Sequence, residues 1–148
     1  MDLLNLLKNA EITKVVAASS VATTALAAGT VLDMANYNSI LFVTSGFWTS
    51  GAGHLMKAQK CATTTGGTAV DLSGASVTNL NSLGVMKLNI TKPRDRYIRP
   101  VLIKAAVASA VNDVWAIRYN GRKRGDNRNT TSDADSGSES LSVISPTS

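Results

Sequence analysis

One cysteine and one histidine are all that this 148-residue chain carries of those two reactive side chains. A lone Cys61 excludes an intrachain disulfide and any multi-cysteine metal site, and its expected role is a buried thiol. Nucleophilic catalysis needs a nucleophile, a base and a group that orients the base. His54 and Cys61 stand in one strand-like run at an odd separation, which puts their side chains on opposite faces and removes the obvious dyad. His54 follows a glycine-rich loop and is expected to be exposed or partly packed. The carboxylate pair Asp133 and Asp135 lies in a Ser/Thr/Asn-rich stretch that would position it poorly for acid/base work. Calcium-loop spacing is not matched. These absences predict no enzyme, no catalytic residue, no cofactor and no metal.

Aromatic residues make up only 5% and prolines number three, whereas Ala, Ser, Thr, Val and Gly are plentiful. The 3.6-residue period of long helices is missing after the first ten residues. No apolar run reaches the roughly 20 residues of a membrane-spanning helix. The start, Met-Asp-Leu-Leu-Asn-Leu-Leu-Lys, has Asp2 early and Lys8 late, the reverse of a secretory leader, so a cytoplasmic setting without membrane contact is expected. Fifteen basic residues against ten acidic give a net charge of +5, too modest to argue for nucleic acid alone. From Gly121 to Ser148, Arg122, Lys123, Arg124 and Arg128 balance Asp126, Asp133, Asp135 and Glu139, so the surplus lies in the body.

What is present reads as strands. The length suits one domain with a core, and short β-prone runs punctuated by Ser/Thr/Gly turns predict an all-β, jelly-roll-like sandwich over 13–120. Ser39 to Thr44 is a continuous apolar run, expected at the centre of a sheet. His54 to Ala62 reads as another strand, Ser73-Gly74-Ala75 as a turn, and Val85 to Ile90 as an alternating strand with Met86, Leu88 and Ile90 inward. The runs Lys92–Lys104 and Asp113–Tyr119 read as a β-hairpin. In the second, Trp115, Ile117 and Tyr119 form the larger apolar face, the one expected to need covering. Pro100 in the first demands an edge, a strand start or a bulge. Arg94, Arg96 and Arg99 bracket Tyr97; they are either solvated side chains or forks for carboxylates on a neighbouring subunit.

The two ends differ from the body. Residues 1–12 suit a short helix or arm, with Leu3, Leu4, Leu6 and Leu7 on a broad face that must dock on the domain or on a partner. The loop Ser45–Gly53 presents Phe47 and Trp48 as a lid or a partner anchor, and it lacks the Gly-Lys-Ser/Thr ending of a phosphate loop. Residues 121–148 form an extended arm. It opens with the basic Arg122, Lys123 and Arg124 and has little to bury except Leu141, Val143 and Ile144, which are expected to bind another chain. Ordering such a segment costs roughly 1–2 kcal/mol per residue of backbone entropy, so another surface has to hold it.

The blocks Asp33-Met34-Ala35-Asn36-Tyr37-Asn38-Ser39-Ile40-Leu41-Phe42-Val43, Lys57-Ala58-Gln59, Arg96-Tyr97-Ile98-Arg99-Pro100-Val101 and Ala116-Ile117-Arg118-Tyr119 resemble, in that order, small structural proteins of tailed bacteriophages. The likeness covers about residues 13–124. It implies a capsid cement or decoration protein that binds the major capsid protein as a dimer or trimer, located in the virion and assembled in the host cytoplasm. A neck or tail component is the alternative within the virion. A nucleic-acid-binding module using Tyr97, Trp115 and the basic residues is the alternative outside it, disfavoured by the expected burial of Trp115.

Overall fold

A computed structural model describes residues 10–23, 26–45, 54–79, 84–104 and 108–121. Among these there is no helix, and every strand pairing is antiparallel. The short helix expected near the start, over residues 2–9 of the 1–12 arm, lies outside the described residues. The described residues form eleven strands in order: β1 (Glu11–Val16), β2 (Ser19–Thr23), β3 (Ala27–Ala28), β4 (Leu32–Asp33), β5 (Tyr37–Thr44), β6 (His54–Cys61), β7 (Val70–Asn79), β8 (Met86–Thr91), β9 (Tyr97–Ile103), β10 (Ser109–Val111) and β11 (Val114–Gly121). Among the described residues the strands run from Glu11 to Gly121.

One sheet has the order β1-β11-β5-β8; a second has β9 between β6 and the pair β3 and β4, with β7 on the far side of β6. A short β10-β2 pair completes the strands. Ile40, Phe42, Met86, Leu88, Val114 and Ala116 from the first sheet share one core with Met56, Ala58, Ile98 and Leu102 from the second. Burial of this apolar surface is the main favourable term holding the layers together.

The apolar run of β5 sits between β11 and β8, as its lack of polar positions requires. In β8, Met86 and Leu88 are buried while Lys87 and Asn89 are exposed, the expected alternation. The expected hairpin is not formed. β9 and β11 lie in different sheets, because β9 is taken on both sides by β6 and β3/β4, and β11 by β1 and β5. Pro100 shows how a proline fits inside a sheet. Gly29 N–H donates to the Pro100 carbonyl at 2.8 Å, and a residue's N–H and C=O point to the same side of a strand. The donor that Pro100 lacks would therefore have faced the break between β3 and β4, where no ladder exists to lose it. A Cβ on Gly29 would come within 2.7 Å of the Pro100 ring, so this approach requires glycine.

The turn expected at Ser73-Gly74-Ala75 is instead an irregularity inside β7. Gly74 takes φ +75, and the pairing with β6 jumps from Ser76 opposite Lys57 to Asp71 opposite Gln59. A bulge of this kind absorbs extra residues without ending the strand.

Candidate interaction surface

β11 presents the face opposite to the one expected. Val114 and Ala116 are buried, and Trp115 is 43% exposed. The reason lies across the ladder. Ala116 stands opposite Phe42, and so bulky a neighbour at the core leaves room for a small partner, which sends the larger side chains of β11 outward.

On the outer face of the four-stranded sheet the register builds two adjoining rows. Lys14, Trp115, Val43 and Lys87 follow one another across β1, β11, β5 and β8; below them come Ile12, Ile117, Leu41 and Asn89. Lys14 and Lys87 are exposed, and Ile12 is 61% exposed. Val85, just before β8, and Trp115 add to Ile12, so three of the six large apolar side chains exposed among the described residues lie on or beside this one face. Contiguity of this kind makes the face a candidate interaction surface, which scattered exposed apolar residues would not.

On the other sheet, charged and amide side chains pair with one another within the chain. Arg96 forms a two-pronged pair with Asp33, its Nε and Nη2 donating at 3.0 and 2.8 Å, and lies 5.1 Å from the Tyr97 ring centre. Arg99 donates through Nε and Nη2 to the Gln59 side-chain oxygen, and Gln59 in turn donates to Asp71, which also pairs with Lys57 at 2.5 Å. Lys60 pairs with Asp95 at 3.6 Å. Arg96 and Arg99, expected to be solvated or to fork carboxylates of a neighbouring subunit, meet partners in their own chain; Arg94 is exposed. The other proposed contact residues, Leu3, Leu4, Leu7, Phe47, Trp48, Arg122, Lys123, Arg124, Leu141, Val143 and Ile144, lie outside the described residues.

The hydrogen bond from Arg96, helped by the Ala35 backbone N–H, holds the Asp33 carboxyl below its ordinary pKa, against some desolvation. A carboxylate with a lowered folded-state pKa adds stability above its unfolded pKa and loses it as pH falls through the folded value. Asp33→Asn is therefore expected to lower the urea midpoint at neutral pH by a small amount. The gap from the parent chain should close as pH falls below the ordinary carboxylate range near about 3.9.

His54 is buried rather than exposed. Its Nε2 and the Ser109 Oγ are 3.1 Å apart, both residues inside the protein, with Lys104 also buried. β6 turns His54 inward with Met56 and Ala58, so it is a packed polar group of the interior. Cys61 is buried, as expected of a lone thiol. Among the described residues no three His, Cys, Asp or Glu side chains are placed to share a metal ion, and no helix is long and apolar enough to cross a membrane. Compared with known protein families, with curated proteins and with solved structures, the chain matches none.

Proposed function

We propose that this chain is a non-enzymatic virion structural protein, a capsid cement or decoration protein that binds and stabilises a major capsid protein lattice. The observation that carries the reading is the outer face of the β1-β11-β5-β8 sheet, a two-row apolar surface suited to burial against another protein. Strand order supports it. If β3 and β4 count as one interrupted strand and the β10-β2 pair is set aside, the eight strands run first-eighth-third-sixth in one sheet and second-seventh-fourth-fifth in the other. That is the order of a jelly-roll sandwich, an architecture found in viral capsid and lectin domains. Fold alone does not decide function, so the sequence resemblance and the face have to be taken together.

In this reading the jelly-roll body is rigid and self-associates as a dimer or trimer. Leu3, Leu4 and Leu7 at one end and Leu141, Val143 and Ile144 at the other supply further weak contacts, and many weak contacts on one lattice sum to high avidity. A neck or tail component would use the same surfaces in a single ring, so copy number measured by gel densitometry of purified particles separates the two.

The test is add-back of purified chain to particles lacking it. Replacing both Ile12 and Trp115 with aspartate removes the exposed apolar anchors without touching the core, and is expected to weaken particle binding at least about 30-fold, the scale of an aromatic hot spot. Unchanged binding by a variant that keeps the parent urea midpoint overturns the reading. The exposure of Trp115 between Lys14 and Lys87 favours one second reading, stacking of single-stranded nucleic acid. Steeply salt-dependent binding of an oligonucleotide, lost in the same variant, would establish it instead.

A further inference from the structure

The charge of the chain is not spread evenly along its C-terminal arm. Residues 125–148 hold Asp126, Asp133, Asp135 and Glu139 against Arg128 alone, a net −3, so the rest of the chain carries +8 of the overall +5. Beyond Arg128 there is no basic residue at all, and the stretch closes with Glu139-Ser140-Leu141-Ser142-Val143-Ile144. Extended, that stretch places Glu139, Leu141 and Val143 on one side, a carboxylate followed by two apolar groups at steps of about 6.6 Å.

The outer face of the four-stranded sheet offers the complement. Trp115 and Val43 stand side by side, Lys14 is one strand away from the first and Lys87 one strand away from the second, each step about 4.8 Å. A carboxylate two residues, about 6.6 Å, before an apolar side chain lies within side-chain reach of a cation one strand, about 4.8 Å, from an apolar patch. Like charges at both edges of the row oppose a face-to-face pairing of two copies, since Lys14 and Lys87 of one would approach those of the other. The leucine-rich residues 1–9 carry one acid and one base, Asp2 and Lys8, and have no matching charge excess.

Reach is sufficient. The arm leaves from Gly121 at the end of β11, the strand that carries Trp115 and Ile117. Six residues of strand, about 20 Å, separate Gly121 from Trp115, and a random coil of the length of residues 122–140 has a root-mean-square span of about 24 Å. Tethered this way, the segment reaches the face at an effective concentration in the millimolar range, ahead of any untethered copy.

We infer that residues 133–144 of the same chain lie on the outer face of the β1-β11-β5-β8 sheet, with Leu141 and Val143 over Trp115, Val43 and Leu41 and the preceding acidic residues at Lys14 or Lys87. A capsid lattice that uses this face would displace the segment, so the isolated chain is where to look for it. The inference stands or falls separately from the particle-binding test.

The experiment uses the full chain with Trp48→Phe, so that Trp115 is the only tryptophan, and a second form that also carries Leu141→Ser and Val143→Ser. The second form is expected to show a red-shifted Trp115 emission and easier quenching by acrylamide, with an unchanged far-ultraviolet spectrum. Carbodiimide cross-linking of an equal mixture of light- and heavy-isotope copies is expected to join Lys14 or Lys87 to Asp133, Asp135 or Glu139 within one copy. Those links should be lost in the serine form. Emission that does not differ between the two forms overturns the inference, as do links to Asp2 or links joining light to heavy copies.

Discussion

Phe42→Ala is expected to lower the unfolding free energy by about 3–5 kcal/mol, the range for removing a fully buried aromatic side chain. For a domain of this size, with stability on the order of 5–15 kcal/mol, that is about a fifth or more of the total. With a urea slope of about 2 kcal/mol/M, the midpoint should fall by about 2 M. The reason is local. Phe42 is completely buried on β5, directly between Ala116 of β11 and Leu88 of β8. Ala116 is small and Leu88 is held by its own strand, so neither can swing in to fill the space, and the cavity term is added to the lost transfer term. Trp115→Ser, one residue from Ala116 but on the outer face, should cost less than half as much although its side chain is larger. A reversed order, with Trp115→Ser the more damaging, would show that the core lies on the other face of β11.

That contrast also shows what could be read from the chain. β5 and β8 were legible because each carries a signal intrinsic to itself, a continuous apolar run in one and strict alternation in the other. β11 alternates just as cleanly, but alternation gives two faces without saying which is inward. Bulk pointed to Trp115, Ile117 and Tyr119. The inward face is set by Phe42, more than 70 residues away, and by the ability of Arg118 to find partners in the interior. Pairing was illegible for the same reason. β9 and β11 are separated along the chain only by the three-residue β10 and carry complementary strand patterns, yet β9 is claimed by β6 and β3/β4. Gly74 read as a turn because glycine between serine and alanine usually is one; only the register of β6 shows it as a bulge.

The site divides along similar lines. Arg96 and Arg99 were singled out by residue type, and their type is indeed what holds them, in two-donor contacts to Asp33 and Gln59. Those partners lie 63 and 40 residues away in sequence, so nothing short of the fold assigns them. The apolar rows of the first sheet combine single residues from four strands, none of which stands out alone. Ile12 in a Thr/Lys-rich run and Val43 in an apolar one carry no mark of a shared surface. The one available signal was Trp115 in a protein with few aromatics, and it pointed to the core instead.

The second large effect is expected at the edge of the core, where Glu11 pairs with Arg118. The side chains are only 12% and 11% exposed, so both charges have left most of their water behind. Arg118 Nη2 donates to Glu11 Oε1, its Nη1 donates to the Asp33 carbonyl at 2.9 Å, and its guanidinium lies 5.0 Å from the Tyr37 ring centre. The Tyr37 hydroxyl donates to the other Glu11 oxygen at 2.7 Å. Glu11→Leu removes the carboxylate that pairs with this cation and the acceptor of the Tyr37 hydroxyl, at an expected cost of about 3–5 kcal/mol. Most of that cost is the uncompensated buried charge rather than the worth of the pair. Adding Arg118→Leu to Glu11→Leu should therefore recover a large part of the loss, because two apolar side chains at a core edge carry no desolvation penalty. Urea unfolding of the parent, both single variants and the double variant closes a thermodynamic cycle, with an expected coupling of about 1–3 kcal/mol. If Glu11→Leu shifts the midpoint no more than an exposed substitution does, about 0.5 kcal/mol, then Arg118 reaches water without its partner. In that case β1 is held to β11 by its ladder and by Val15 in the core, with little help from the charges.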